Sequence, residues 1–168
     1  PARPLRLKLE VNTREHFSVL GFHHDSLCVE NPWFSGEASI TTYDVNELLG
    51  TKLRALHQRR KGRDLFDLWL CLRMGLLHPD RLLICFFGYL EKQKLSISRA
   101  QFEKNLYDKQ TDPTFLEDVT PLLRPGIEYD AQVAVTEVKT AIVEKMSGAP
   151  WKGLPKEEAE KIPKERKK

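Results

Sequence analysis

From Leu65 to Met74 the chain sets Leu65, Phe66, Leu68, Trp69, Leu70, Leu72 and Met74 around every side of a helix, and a helix apolar all round has to be buried. It needs other elements to cover it, so this part of the chain reads as a helical bundle. Two aspartates nevertheless sit inside the run: Asp64 and Asp67, at i and i+3, share one side. Asp64 reads first as a first-turn acid favoured by the helix dipole. Asp67, deeper in the helix, is balanced between an ion pair with Arg63 or Arg60 and a functional carboxylate.

A second helix precedes this one. Asp44 stands before an apolar-periodic run with Glu47 three residues on, the spacing of a capping box, and Leu48, Leu49, Leu53, Ala55 and Leu56 form one broad stripe. Lys52 lies near the middle of the stripe and Arg59 lies on it further along, whereas Arg54, Glu47 and His57 fall where a solvated face belongs. A cation aimed inward requires an anion, because burying it unpaired costs far more than a surface charge does. A protein carboxylate and a ligand phosphate both meet that need.

The segment KLRALHQRRKGRDLFDL, with KLEVNTRE upstream and ISRAQFEKNL downstream, resembles the AbiEii/AbiGii-type nucleotidyltransferase toxins, the enzyme half of type IV toxin–antitoxin and phage-abortive systems. The resemblance covers most of residues 5–135, and its K(x)6R(x)4D(x)2D spacing is fairly specific. It implies a protein that transfers a nucleotide from an NTP, with Mg²⁺, to an RNA acceptor such as the tRNA end, paired with a cognate antitoxin. Lys52 and Asp67 match the family's active-site lysine and second aspartate. Arg59 and Arg63 are then candidate substrate-binding cations. Glu10 resembles the third metal-binding carboxylate that a later strand supplies in polymerase-beta-type nucleotidyltransferases. The family's GS…DxD motif, which supplies the paired metal carboxylates, is absent from these 168 residues. With a first residue that is proline, the expectation is the C-terminal portion of a longer enzyme, with the motif upstream and this chain inactive alone.

A different class of function is a non-catalytic module that holds RNA or an antitoxin on the basic elbow from Arg59 to Arg63. The body of the chain gives no wider support for it. Seven Lys or Arg against four Glu between Lys152 and Lys168 account for the whole net charge of +3. The three cysteines, Cys28, Cys71 and Cys85, are odd in number and widely spaced, which excludes a disulfide framework or a C-x-x-C metal site and reads as small buried hydrophobes. No apolar run reaches the roughly eighteen residues of a membrane span, and no signal peptide begins the chain, so a cytoplasmic protein without membrane contact is expected.

The expected fold class is α+β, a short, mostly antiparallel sheet followed by a helical bundle. Residues 5–12 alternate apolar and polar as a half-buried strand, and 17–22, 27–33 and 37–43 read as three further short strands. His23 and His24 read as an exposed loop pair, and Trp33 with Phe34 as lids on the core. Helices follow over about 79–93, from a Ser98 cap with Gln101 at the box position, around 113–123, and over 130–146; Arg99, Lys104 and Lys109 read as solvated charges. The expected organisation is a strand-rich part of a nucleotidyltransferase domain at 1–43, a helical domain at 44–148 and a disordered basic tail at 149–168.

Overall fold

The computed structural model describes residues 15–154 together with Arg6, Lys8, Leu9 and Val11. Its architecture is α+β, a two-stranded antiparallel hairpin followed by six α-helices among the described residues. The hairpin joins β1 (Phe22–Asn31) to β2 (Phe34–Tyr43), in register from Phe22 opposite Tyr43 to Asn31 opposite Phe34. Asn31 makes the turn, its side-chain oxygen accepting from the N–H groups of Trp33 and Phe34 at 3.0 Å each, as Asx turns do.

The strand reading needs correction in several places. Two long strands replace three short ones, because Val19 and Leu20 send their N–H groups, and Ser18 its hydroxyl, to Glu47 on a helix instead of a neighbouring strand, and Ser35-Gly36 lies inside β2. His23 and His24 are exposed but belong to β1. Trp33 and Phe34 are 92% and 61% exposed, since the turn carries them away from the helices that hold the core. Cys28 is exposed on β1, Cys71 is half-buried, and Cys85 alone of the three is buried. The alternating segment at 5–12 lies largely outside the described residues, and its described apolar members Leu9 and Val11 are exposed.

The bundle begins with α1 (Val45–Gln58), which packs along α3 (Pro79–Lys92) and turns into α2 (Gly62–Arg73). In turn, α2 packs on α6 (Ala131–Ala141), while α4 (Arg99–Gln110) and α5 (Pro113–Glu117) close the remaining side. The α1 stripe supplies Leu49, Leu53 and Leu56 to one core with Leu65, Leu68, Phe86, Phe102 and Phe115, all buried. Each such side chain contributes roughly 1.5–3 kcal/mol. Two close backbone approaches set the geometry. A Cβ on Gly50 would stand 2.8 Å from Cβ of Cys85, where α1 crosses α3. One on Gly62 would stand 2.2 Å from the carbonyl oxygen of Phe115, where the start of α2 presses on α5.

The face of α1 opposite the stripe is not solvated. Glu47 is fully buried and accepts from the Ser18 hydroxyl (2.7 Å), the N–H groups of Val19 (2.8 Å) and Leu20 (2.9 Å), and the Tyr89 hydroxyl (2.8 Å), rather than reaching back to Asp44. Asp44 caps the helix by itself through the Asn46 N–H at 2.8 Å. Arg54 pairs with Glu15 at 2.7 Å and lies 5.1 Å over the Tyr89 ring. His57 is half-buried against Phe102, and burial, with Lys109 nearby, pulls its pKa down. These charges are covered because α3, α2 and residues 17–20 enclose α1 on more than one side.

On α4, Ser98 and Gln101 form the capping box read from the sequence. Arg99 and Lys109 are not solvated, however: Arg99 pairs with buried Glu103 at 2.8 Å, and Lys109 is buried. Beyond α6 the chain stays attached through Trp151 where a tail was expected, its ring tilted against Tyr107 with centroids 4.9 Å apart and its N–H donating to Glu103 at 2.7 Å. Residues 155–168 lie outside the described part.

Candidate active site

The corner between α1 and α2 gathers four charged side chains. A helix leaves its last carbonyls without partners, and here the buried ammonium of Lys109 takes those of Leu56 and His57, with Asn105 Oδ1 as a third acceptor. Burial pushes the Lys109 pKa down to about 8, an effect that Arg60 reinforces and Asp64 opposes. Lys109 shares a helix face with Phe102 and Leu106, a spacing that signals its inward position.

With the end of α1 held in this way, Arg59 folds back over the first turn of α2. Its Nε and Nη2 donate to the two oxygens of Asp64 at 2.7 Å each, a bidentate pair. Asp64 is fully buried, and its hydrogen bonds hold the Arg59 pKa above the ordinary arginine value. Lys52 reaches the same corner from α1, with Nζ 3.7 Å from Asp64 Oδ1 and 2.7 Å from Asp67 Oδ2. Lys52 and Asp67 are 37% and 40% exposed, so this outer pair meets solvent while Asp64 does not. The result is an alternating row, Arg59, Asp64, Lys52, Asp67, dry at Asp64 and wet at both ends.

Lys52, Arg59 and Asp67 therefore meet at one corner, and Arg63 leaves it. Its side chain stands 3.7 Å from Asp118, which also accepts the Arg63 N–H at 3.3 Å and faces Lys61 at 3.7 Å. Arg60 pairs with Asp112 at 3.0 Å. The partner of Asp67 is thus neither Arg63 nor Arg60. Each cation of the elbow faces a carboxylate, which leaves less free positive charge than the run of basic residues suggests. Asp64, read as a first-turn acid, is the centre of the row; the signal for it was an Arg five residues earlier across a glycine-bearing corner.

Asp64 and Asp67 do not by themselves build a divalent-cation site. The oxygens of Asp64 face Arg59 and Lys52, Asp67 is held by Lys52, and among the described residues no three His, Cys, Asp or Glu side chains cluster to hold a metal. Glu10, the other metal-ligand candidate, lies outside the described residues. Asp67 and Arg63 also line an open groove of about 380 Å³ between α2 and residues 119–127, walled by Phe66, Leu70, Leu122, Leu123, Arg124 and Ile127.

Among the described residues no helix is long and apolar enough to cross a membrane. A family model described as nucleotidyl transferase AbiEii toxin, type IV TA system, matches residues 1–146. No curated protein and no solved structure matches the chain.

Proposed function

The chain belongs to the AbiEii family of nucleotidyl transferase toxins from type IV toxin–antitoxin systems, and on that premise we propose that the α1–α2 corner is the half of the active site that handles triphosphate and acceptor hydroxyl in nucleotide transfer from an NTP to RNA, the tRNA end being the acceptor the family suggests. The observation that supports this is the half-exposed Lys52–Asp67 pair at 2.7 Å beside a ligand-sized groove. Family membership also implies an antitoxin partner and divalent-metal use.

Phosphoryl chemistry of this kind is mostly positioning and charge neutralisation. Lys52 meets the triphosphate, and Arg59 supports it. Asp64 occupies the Nε–Nη2 edge of Arg59, so Nη1 remains to donate to a phosphate oxygen. Arg63 attracts the triphosphate from the groove side. As the triphosphate draws Lys52 away, Asp67 becomes free to orient the acceptor hydroxyl. It takes that hydroxyl's proton as the new oxygen–phosphorus bond forms and the bond to the pyrophosphate oxygen breaks. A divalent cation such as Mg²⁺ would supply charge neutralisation at the phosphates when bound, and among the described residues no cluster of three ligating side chains fits it.

The alternative of a non-catalytic RNA- or antitoxin-binding helical module loses ground at the elbow, whose Arg59, Arg60, Lys61 and Arg63 all face carboxylates. Incubating the complete gene product with each labelled NTP, Mg²⁺ and total tRNA tests the reading. Lys52→Ala and Asp67→Asn are expected to lower transfer by about a hundredfold or more, the usual scale for a lost acid–base group. Transfer at the unsubstituted rate in both would discard it.

A further inference from the structure

We infer that the groove beside Asp67 is a nucleoside subsite, holding the base and sugar of a nucleotide between Phe66 and Leu70 on α2 and Leu123 and Ile127 opposite, with Arg124 at its rim to meet phosphate. The inference rests on the catalytic reading of Lys52 and Asp67 and adds where the nucleoside lies.

Four observations carry it. First, about 380 Å³ falls within the roughly 300–1,000 Å³ of pockets that take small organic ligands. Second, the walls are mostly apolar with few polar groups, which suits a flat base. Phe66 is held edge-on by Tyr129, ring centroids 5.1 Å apart, so its ring is braced from behind.

Third, the charges suit a phosphate. Arg63 and Arg124 line the groove, and its one carboxylate, Asp67, is already held by Lys52. Arg124, unlike Arg59, Arg60 and Arg63, forms no ion pair among the described residues. Its backbone is fixed by a Pro-Gly turn in which the Ile127 N–H bonds to the Arg124 carbonyl at 3.2 Å and Gly126 adopts φ +89°.

Fourth, Asp67 lines the groove and is held at 2.7 Å by Lys52, so a nucleoside there lies beside the pair. The neighbouring depression around Trp69 and Tyr129 shares Leu123 and Ile127 but is lined by Glu128 and Asp130, and its Arg73 is tied to Glu137. Its acidity repels phosphate, which places the nucleotide on the Arg63 and Arg124 side.

A free NTP and the 3′ end of an RNA bring the same chemistry, and photo-crosslinking separates them. The chain is irradiated with 4-thio-UTP or 8-azido-ATP in one arm, and in the other with a short single-stranded RNA ending in 4-thiouridine. Labelled peptides are then mapped. Label is expected within 63–70 or 119–127, falling about tenfold in Ile127→Trp, which fills the groove, within the range for loss of one stacked base. A drop is also expected in Arg124→Ala, a fully surface change that keeps the test valid if the tryptophan variant melts early. Label from the nucleotides alone assigns the groove to the incoming NTP, and label from the RNA alone assigns it to the acceptor.

Label elsewhere, label unchanged in both variants, or none at millimolar probe overturns the subsite. If Lys52→Ala abolishes transfer in the complete gene product while the groove variants label normally, the subsite falls and the catalytic reading stands. If the groove is labelled while Lys52→Ala and Asp67→Asn transfer normally, the subsite stands and the catalytic reading falls.

Discussion

Helix α1 carries a carboxylate arrangement at each end of its length, and the two are built on opposite principles. Glu47 is enclosed, and its oxygens are satisfied by neutral donors: a serine, two backbone N–H groups and a tyrosine. Asp64 and Asp67 are satisfied by cations, and the row they form opens to water at Asp67 and Lys52. A carboxylate saturated by neutral, fixed donors has nothing left to offer a ligand. A carboxylate held by a flexible lysine at the edge of a groove can exchange that lysine for substrate. The difference separates a structural acid at the start of α1 from a candidate catalytic one at the corner beyond its end.

The contrast breaks first, if it breaks, at Glu47. Glu47→Gln places an amide N–H₂ against donors and should destabilise the fold by roughly 2–4 kcal/mol, since stranded buried donors cost about 1–3 kcal/mol each. Chemical denaturation measures it, and a loss below about 1 kcal/mol would mean the enclosure is not what holds residues 17–20. Glu47 also sets an acid limb. Burial by itself would raise its pKa, yet the bonds from Ser18, Leu20, Val19 and Tyr89 bring it below the ordinary 4.5. A folded pKa below the unfolded one means this contribution is complete above about pH 4.5 and is lost as pH falls through the lower folded value. The Gln variant should therefore show a flatter stability curve in that window, and an identical slope would assign the limb to other acids.

A smaller loss is expected at Asp64. Removing one member of a buried pair costs about 3–5 kcal/mol, but Arg59 is half-exposed and can turn to water, so Asp64→Asn should cost roughly 2 kcal/mol. Smaller still is Asp67→Asn, below about 1 kcal/mol by the same denaturation assay, because both it and Lys52 are wet. That variant sharpens the contrast if it abolishes transfer while the melting curve stays put, and erases it if folding and activity fall together. Least of all should change with Trp33→Ser, at the exposed tip of the hairpin: within about 0.5 kcal/mol. A larger loss would show that the tip packs on something.

The helices were legible because their signals are local. The Ser98 box, the Pro79 start and the Gly75 end concern residues within a few positions of one another and appear as read, and the α1 stripe holds at Leu49, Leu53 and Leu56 while Leu48 is exposed. The meeting of Lys52 with an anion was legible for the same reason, from its place on a periodic face, although the pair it forms with Asp67 meets solvent. Glu47 and Arg54 were misread because a single helical wheel divides a helix into one buried and one wet face, and Lys109 because its charge was weighed above its place on the Phe102–Leu106 face. That division fails when α3, α4 and residues 17–20 enclose α1 from several directions. Trp33 was misread because turn chemistry at Asn31-Pro32 is a local property, whereas whether the turn reaches a core is not. The ion pairs of Arg60, Lys61 and Arg63 depend on Asp112 and Asp118, some fifty residues away, and nothing local announces them.

Position 62 has a consequence for anyone who diversifies this protein. With the Phe115 carbonyl 2.2 Å from where a Cβ would be, a saturation library selected for folded chains should return glycine there and little else. Variants that survive by swinging α2 off α5 would carry Asp67 with them, and reacting groups displaced by about an ångström can lose a hundredfold in rate. Sorting such a library first for solubility and then for loss of nucleotide transfer would enrich chains that fold without working. Their substitutions would map the backbone tolerance of the α1–α2 corner without touching a single charged residue in it.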